Sequence, residues 1–203
     1  MTITVTEAGK RFNRDWIFRK ISLQLLAPKH YAITGHNGSG KSTLIQCMAG
    51  SMLLSEGKIH CTWQAQAIDP EKLHRYVSLA APYLELIEEM TAMEFLEYHS
   101  RFKPFKSGYN ASNMLDSIGL SKSANKQIRY FSSGMKQRIK LAQAFYSDTP
   151  ILLLDEPCTN LDQQGIELYK ELIANLTQDR LVIIGSNDPI EYESCEETIR
   201  MGV

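Results

Sequence analysis

The chain has 203 residues, of which 43% are hydrophobic and 22% charged, and its formal net charge at pH 7 is −1. This composition is typical of one soluble globular domain and excludes disordered, collagen-like and fibrous proteins. The small net charge excludes a global basic field, so we expect no nucleic-acid partner. The four cysteines form no CxxC pair, which favours free thiols in a reducing cytoplasm. Apolar runs are too short to cross a membrane, and residues 1–12 lack the apolar core of a secretory signal.

Strands predominate in the predicted N-terminal third of the chain. Apolar residues alternate with polar ones around Ile3 and again around Trp16, as in half-buried strands. Further strands are predicted at Tyr31–Thr34, near Lys58–Trp63 and near Tyr76–Ala80. A helix is predicted over residues 41–49, and Gly50 ends it.

Helices follow between about Pro82 and Phe131. Thr91 is a candidate N-cap, and Glu94 at the third position after it completes a capping box. A second helix is predicted over residues 111–118, where a glycine ends it.

Strands and helices alternate in the last third of the chain. The predicted elements are helices over residues 134–146 and 163–176 and unbroken apolar strands at Ile151–Leu154 and Leu181–Ile184. Such apolar runs are typical of buried parallel strands, and the order predicts an α/β nucleotide-binding core with a helical insert. We expect the core to comprise residues 1–81 and 134–203, and the helical subdomain to span about residues 82–133.

The glycine-rich segment after the third predicted strand has the complete P-loop pattern Gly-x-x-x-x-Gly-Lys-Ser. Glycines let the backbone N–H groups point at phosphate oxygens, and the following helix N-terminus adds positive potential. Lys41 can reach the β- and γ-phosphates, and the Ser42 hydroxyl can ligate Mg²⁺. The strand before the segment and the helix after it disfavour a glycine-rich turn with a chance lysine. Candidate nucleotide-binding residues here are Gly35, Asn37, Gly38, Ser39, Gly40, Lys41, Ser42 and Thr43.

Two carboxylates follow the apolar strand at residues 151–154. Ligands gather at the C-terminal ends of strands in open α/β sheets. Asp155 is therefore placed to hold Mg²⁺ through its water shell, and Glu156 to polarise the attacking water as general base. The alternative is an acidic turn that merely ends the strand, but the P-loop elsewhere in the chain favours a catalytic pair. We expect ATP and Mg²⁺ as the ligands.

A short segment, Phe131-Ser132-Ser133-Gly134-Met135, lies between these two motifs. With it, the chain resembles the ATP-binding-cassette (ABC) ATPases, whose signature is usually Leu-Ser-Gly-Gly-Gln. Ser132 and Gly134 match the serine and the second glycine of that signature, and the other three positions differ. Thr159–Asp162 resembles the D-loop of the family, so the likeness covers essentially the whole chain. It implies a P-loop NTPase core with a mixed or parallel sheet, an N-terminal antiparallel β subdomain and a helical insert subdomain.

The resemblance also implies a head-to-tail pair of cassettes, either a homodimer or a heterodimer, that sandwiches ATP. Ser132, Gly134 and Asp162 would then lie against nucleotide held by the partner, and a hydroxyl and a bare N–H at a helix N-terminus suit an anion. The family stacks adenine on an aromatic residue near the N-terminus. Phe12 stands at that position and Trp16 is the alternative, although either could belong to a strand core.

Two positions depart from the pattern of the family. Ala80-Ala81-Pro82-Tyr83 stands where the family has a Q-loop glutamine, and Asn187 stands where it has a switch histidine. An asparagine can hydrogen-bond a γ-phosphate but carries no charge. We count Asn187 with Glu156 and Lys41 as the candidate catalytic residues, and we expect slow hydrolysis by the isolated chain.

The leading functional hypothesis is the ATPase subunit of an ABC transporter, peripheral at the inner face of the membrane, which drives a separate integral-membrane permease. The segment Pro82–Glu94 combines apolar and acidic residues and is either a docking surface for that permease or a solvated loop. A soluble ABC ATPase acting on ribosomes or DNA and a weakly hydrolysing regulatory cassette are the alternatives. The basic and aromatic residues of Lys10–Lys20 are interpreted as a strand pair with solvated charges rather than a nucleic-acid surface.

Overall fold

The computed structural model describes residues 1–202, which divide into two units with separate internal packing. The first unit comprises Met1–Leu79, Pro150–Glu156 and the chain from Gln178 onward. The second comprises Ala80–Thr149 and Pro157–Thr177, so it takes in the expected helical insert together with the two helices that were expected in the core. Across residues 1–202, no helix has the length and apolar composition needed to cross a membrane.

The strands and helices of the described chain confirm those predicted from the sequence, with small shifts at their ends. In chain order the strands are β1 (Thr2–Phe12), β2 (Asp15–Leu26), β3 (Lys29–Thr34), β4 (Glu56–Trp63), β5 (Gln66–Ala67), β6 (Val77–Ala80), β7 (Ile151–Asp155), β8 (Leu181–Gly185) and β9 (Glu197–Arg200). The α-helices are α1 (Lys41–Met48), α2 (Ala92–Ser100), α3 (Ala111–Ser117), α4 (Ser133–Tyr146) and α5 (Gln163–Leu176). Neither β5 nor β9 was predicted, because both are short and largely exposed.

An antiparallel sheet occupies the N-terminal part of the first unit, in the order β2-β1-β4-β5. The alternation of apolar and polar residues around Ile3 reflects a half-buried strand, as predicted. Ile3 and Val5 are buried in the core, while the residues between and beside them are more exposed. The β1–β2 hairpin closes after the pair Phe12 and Asp15, where Asn13 adopts a left-handed φ of 53°. Phe12 therefore lies at the turn end of this sheet.

A second sheet has the strand order β6-β7-β8-β3-β9, and the candidate site residues follow three of its strands. Strand β3 runs parallel to β8 and β9, and β7 runs parallel to β8. Every residue of β7 and β8 is buried, which explains their unbroken apolar sequences. Since parallel strands end at the same edge, the loops after β3, β7 and β8 emerge together there.

Helix α1 packs closely on this sheet, and one glycine makes the approach possible. Leu44 and Ile45 of α1 are fully buried. A Cβ on Gly185, at the end of β8, would lie 2.4 Å from Ile45 Cδ1 and 3.0 Å from Asp155 Oδ1. Gly185 therefore lets the N-terminus of α1 lie beside the ends of β7 and β8.

The second unit is built from helices with capped N-termini, and the cap of α2 is the one that the sequence predicts. Thr91 and Glu94 form a reciprocal capping box at α2, with Thr91 N donating to Glu94 Oε2 at 2.8 Å. Asn110 and Asn113 form the equivalent box at α3. The longer helix α4 supplies much of the core of this unit through Ile139, Leu141, Ala142, Ala144 and Phe145, all of which are buried.

A buried histidine gives the helical unit a pH-dependent stability. His99 Nε2 lies 3.0 Å from Ser147 Oγ, and the Ser147 hydroxyl already donates to Gln143 O at 2.5 Å, so neutral His99 donates to Ser147. Burial, and secondarily the charge of Lys103, lowers the pKa of His99 from 6.5 to about 4. The unfolded chain therefore binds this proton more readily than the folded chain, and stability falls as the pH drops from about 6.5 toward 4.

We expect this single group to remove about 2–3 kcal/mol of stability between pH 7 and pH 4.5. Urea denaturation of wild type and His99→Gln at both pH values measures it, because glutamine keeps a donor without titrating. The variant should lose less stability on acidification than wild type by that amount. His74→Gln, at an exposed histidine, is the matched control. Equal acid losses in wild type and His99→Gln would contradict the assignment.

Candidate functional site

The P-loop forms a tight turn between β3 and α1. Ser39 N donates to His36 O at 3.0 Å, and Leu44 N donates to Gly40 O at 2.8 Å to begin the helix. Gly40 has a left-handed φ of 97°, and a Cβ there would lie 2.8 Å from Ile17 Cγ2. No side chain among residues 1–202 caps this end of α1, so its first N–H groups remain directed at the loop.

Lys41 extends across the loop rather than into solvent. Its side chain is buried, and Nζ donates to Gly35 O at 2.7 Å and to His36 O at 3.5 Å. The ammonium is therefore held inside the P-loop, where the sequence predicts phosphate binding. A short rotation of its flexible stem is sufficient to redirect its three donors.

Ser39 offers a second polar group inside the P-loop. Its Oγ is buried and has no hydrogen-bond partner within residues 1–202. A Cβ on Gly35 would lie 2.7 Å from this atom, so the glycine keeps the space around it open. A buried hydroxyl without a partner is unfavourable unless a ligand satisfies it, and a phosphate oxygen fits that requirement.

Asp155 ends β7 deep in the first unit and is only 1% exposed. Ser42 lies close enough to lower the pKa of the Asp155 carboxyl, while Oδ1 has no hydrogen-bond partner in the described chain. Burial raises the pKa of Asp155 to about 6, and the Ser42 hydroxyl offsets part of that rise. A hydroxyl close to a carboxylate, with one buried carboxylate oxygen unsatisfied, fits the oxygen preference of Mg²⁺. The structure thus brings together the two residues predicted to hold the metal.

Glu156 follows in a strained backbone conformation that turns its side chain outward. Its φ is 43°, in the left-handed region that non-glycine residues rarely adopt, and its N–H donates to Gly185 O at 2.9 Å. The carboxylate is exposed, in contrast to the buried Asp155. An exposed carboxylate is accessible to water, and a general base needs a water within hydrogen-bond reach.

Asn187 reaches the P-loop directly from the end of β8. Its Oδ1 accepts from Gly35 N at 3.1 Å, and its Nδ2 donates to Asn37 Oδ1 at 3.2 Å. The sequence predicted a contact with the γ-phosphate at this position and gave no indication of these two hydrogen bonds. That contact stays a prediction.

The two candidate adenine-stacking residues differ in their surroundings. Two guanidinium groups lie over the Trp16 ring, with the Arg19 Cζ 4.4 Å and the Arg11 Cζ 5.6 Å from its ring centroid. Phe12 is 47% exposed and has Lys10 Nζ over its ring at 5.0 Å. Because two cations lie over the Trp16 ring and only one over that of Phe12, Phe12 keeps the more accessible ring.

The signature segment begins α4 in the second unit. Ser132 is the N-cap of the helix, and its Oγ accepts from Met135 N at 3.2 Å. A Cβ on Gly134 would lie 2.9 Å from Asn160 O, so glycine allows the loop around residue 160 to approach the helix N-terminus. Phe131 is buried, as the leucine of the usual signature would be expected to be.

Asp162, in the segment resembling a D-loop, is also held in place. Its Oδ1 accepts from Gly165 N at 2.8 Å, which caps α5, and from Arg138 Nη2 at 2.9 Å. The hydrogen bond from Gly165 and the ion pair with Arg138 lower the pKa of Asp162. Ser132, Gly134, Arg138 and Asp162 line one cavity of about 470 Å³ in the second unit. Arg138 was not predicted as a site residue, because a single arginine on a helix carries no sequence signal.

The segment that replaces the Q-loop glutamine is tethered by a lysine. Lys140 Nζ donates to Pro82 O at 2.8 Å and to Ala81 O at 3.4 Å. Burial, together with the nearby charge of Lys136, lowers the pKa of Lys140. Backbone carbonyls at residues 81 and 82 are thus occupied by α4, and the short side chains of Ala80 and Ala81 have no polar group to offer a nucleotide.

Comparisons with known proteins agree with this arrangement. The chain is 30% identical over 164 residues to the cytochrome c biogenesis ATP-binding export protein CcmA of Xylella fastidiosa. The aligned residues cover 77% of this chain and 76% of that protein. It is 28% identical over 205 residues to the protein of the same name from Agrobacterium fabrum, covering 97% of this chain and 94% of that protein.

A similar fold is found in a solved structure, that of the dimeric ATP-binding cassette MJ0796 in a post-hydrolysis state with ADP and Pi. The TM-score is 0.85 over 98% of this chain and 94% of that chain, at 22% sequence identity. The family model described as ABC transporter matches residues 18–159. Because that match spans the P-loop, the signature segment and the Asp155–Glu156 pair, the chain belongs to the ABC transporter family, as an ATP-binding cassette.

Proposed function

We propose that this chain is the ATP-binding and ATP-hydrolysing subunit of an ABC transporter, and that it dimerises around Mg·ATP to drive a separate permease. The observation that carries the proposal is the buried Asp155 at the end of β7, near Ser42 of α1, whose Oδ1 is unsatisfied within residues 1–202. Together with the P-loop it provides sites for a triphosphate and for a divalent cation in one unit.

Binding would depend on the loop and on Lys41. The N-terminal N–H groups of α1, the Ser39 hydroxyl and the Lys41 ammonium would hold the phosphate oxygens. Ser42 and Asp155 would hold Mg²⁺, which neutralises charge on the β- and γ-phosphates when bound. The exposed ring of Phe12 is the better candidate for stacking on adenine.

Hydrolysis would depend on Glu156. In this step a water oxygen forms a bond to the γ-phosphorus, the bond from that phosphorus to the ADP oxygen breaks, and Glu156 accepts a proton from the water. Lys41 would stabilise the charge that develops on the transferred phosphoryl group. Glu156 is exposed and preorganised by its left-handed backbone, which supports this role.

The signature cavity of the second unit supports a two-cassette arrangement. Ser132 and Gly134 stand at the N-terminus of a 14-residue helix, beside Asp162. In the proposed dimer, these groups would meet nucleotide bound to the partner cassette, which is either a second copy of this chain or a different one. That MJ0796 forms a dimer with ADP and Pi supports the proposal by analogy.

The segment Pro82–Glu94 is the proposed docking surface for the permease. Ile87 is 39% exposed, and acidic residues surround it along the chain. The segment is anchored to α4, because Lys140 Nζ donates to Pro82 O at 2.8 Å and Lys136 forms an ion pair with Glu88. An anchored loop that exposes an apolar side chain is better suited to a partner than a loose solvated one.

Affinity capture from detergent-solubilised membranes tests the permease proposal. We expect the wild-type chain to retain a multi-span membrane protein and Ile87→Asp to retain at most about a tenth as much, since a buried unpaired charge opposes docking. Ile190→Asp, which alters a similarly exposed isoleucine in the other unit, is the matched control and should retain the wild-type amount. Capture of ribosomes or DNA in place of a membrane protein would instead favour the soluble class of ABC ATPase.

A regulatory cassette is the second candidate, and two observations favour it. Asn187 is engaged by the P-loop, and Ala80 and Ala81 provide no polar side chain where the family has glutamine. Steady-state phosphate release separates the candidates. A hydrolytic subunit turns over ATP once its partner is present, whereas a regulatory cassette stays inactive in the same complex.

A further inference from the structure

The Asn187 amide bridges two residues of the P-loop that are separated from it by about 150 positions in sequence. Its oxygen accepts from Gly35 N at 3.1 Å, and its nitrogen donates to Asn37 Oδ1 at 3.2 Å. Both bonds are within normal hydrogen-bond length, and together they use the acceptor and one donor of the amide.

These bonds continue the pairing of β3 with β8 into the loop. The ladder pairs Ile33 with Gly185, and Ser186 N then donates to Ile33 O at 3.1 Å. Gly35 N is a further donor beyond this ladder, and the Asn187 side chain supplies an acceptor to it in place of a backbone carbonyl. The first residues of the P-loop are thereby attached to the end of β8.

Residue Gly35 is held through both of its backbone polar groups. Its N–H donates to Asn187, and its carbonyl accepts from Lys41 Nζ at 2.7 Å. The turn that carries Asn187 is itself braced, because Asp188 N donates to Ser186 Oγ at 2.9 Å. The amide therefore fixes the first residues of the P-loop relative to the end of β8.

Building on the proposed function, we propose that Asn187 is a positioning residue that preorganises residues 35–37 of the P-loop, and does not act as a contact to the γ-phosphate. The segment it holds leads into the part of the loop that would surround the β-phosphate, which ADP and ATP share. We call the two hydrogen bonds from Asn187 to Gly35 and Asn37 the clamp. Loss of this clamp should weaken ADP and ATP binding by the same factor. A γ-phosphate contact would instead affect ATP alone.

A double-mutant cycle tests the clamp. We expect Asn37→Ala, which removes one hydrogen bond, to weaken binding of both nucleotides about 3-fold, and Asn187→Ala, which removes both, to weaken it about 10-fold. The double variant should be no weaker than Asn187→Ala, because the bond removed at residue 37 is already lost. Asn125→Ala, at an exposed asparagine of the other unit, should leave both affinities unchanged.

Calorimetric titrations with ADP and with ATP, both in EDTA to prevent turnover, provide the affinities. The ratio of the ADP and ATP dissociation constants should be the same in wild type and in every variant. Thermal melting verifies that the variants are folded, and Asn37→Ala, an exposed position, keeps the test decisive even if Asn187→Ala does not fold.

Several outcomes would overturn the clamp. They are a loss of affinity for ATP alone, additive effects of the two substitutions, unchanged affinities, and tighter binding in either variant. A wild-type chain that binds neither nucleotide, even as Mg·ADP or Mg·ATP, would instead refute the proposed function itself. Failure of the clamp and failure of the function are thus distinguishable.

Discussion

Lys41→Ala is expected to raise the dissociation constant for ATP at least about 100-fold. Lys41 Nζ lies within the loop at 2.7 Å from Gly35 O, and no other cationic side chain occurs between residues 35 and 43. A buried triphosphate without this ammonium would lose its principal charge-assisted hydrogen bonds, which are worth roughly 3 kcal/mol or more together. Titration with a fluorescent ATP analogue measures the change.

The control for this variant is Lys58→Ala, at an exposed lysine on β4 of the same unit, which should bind as wild type does. Circular dichroism should show that Lys41→Ala is folded, because the lost bonds leave carbonyls of an accessible loop that water can reach. If Lys41→Ala bound the analogue with wild-type affinity, the P-loop assignment would be wrong.

The sequence predicted those parts of the site that depend on neighbouring residues. The P-loop pattern, the apolar strand before Asp155 and the capping box at Thr91 are each encoded within ten residues or so, and backbone geometry follows from local composition. Gly40, for example, is needed because the local φ is 97°. The structure confirms the local backbone predictions, namely the start of α1 at Lys41, the strand before Asp155 and the capping box at Thr91.

Contacts between distant segments could not be predicted in the same way. The bonds of Asn187 to Gly35 and of Lys140 to Pro82 depend on how strands and helices stack, and a lone asparagine or lysine carries no periodic signal. The choice between Phe12 and Trp16 depended equally on packing, since only the positions of Arg11 and Arg19 show that two cations lie over the Trp16 ring. Each of these features alters the interpretation of a family motif.

The different burial of the two carboxylates at the end of β7 could not be predicted from the sequence either. Asp155 and Glu156 are adjacent and chemically similar, yet one is buried and the other exposed. Burial is the main cause of the raised pKa of Asp155, and the charge of Glu156 contributes as well. This difference in burial supports the tasks that the sequence predicts for the two carboxylates, a cation for Asp155 and a proton for Glu156.

Glu156→Gln is expected to lower steady-state phosphate release at least about 100-fold while ATP binding is preserved. The amide has the size of the carboxylate and tolerates the same backbone, so the φ of 43° and the N–H bond to Gly185 O should persist. It cannot accept the proton of the attacking water. Glu171→Gln, an exposed position on α5 with the same change in charge, should hydrolyse ATP at the wild-type rate.

The same variant tests the proposed dimer. Removing the charge of Glu156 takes away one of the causes that raise the pKa of Asp155, so Asp155 ionises more readily and stays available to the cation. ATP that is bound with Mg²⁺ but not hydrolysed should then hold two cassettes together, and size-exclusion chromatography of Glu156→Gln with Mg·ATP should show a dimer that disappears with ADP. A monomer under saturating Mg·ATP would rule out a self-sufficient homodimer. The second cassette would then have to be a different chain, or the dimer would have to form only on the permease.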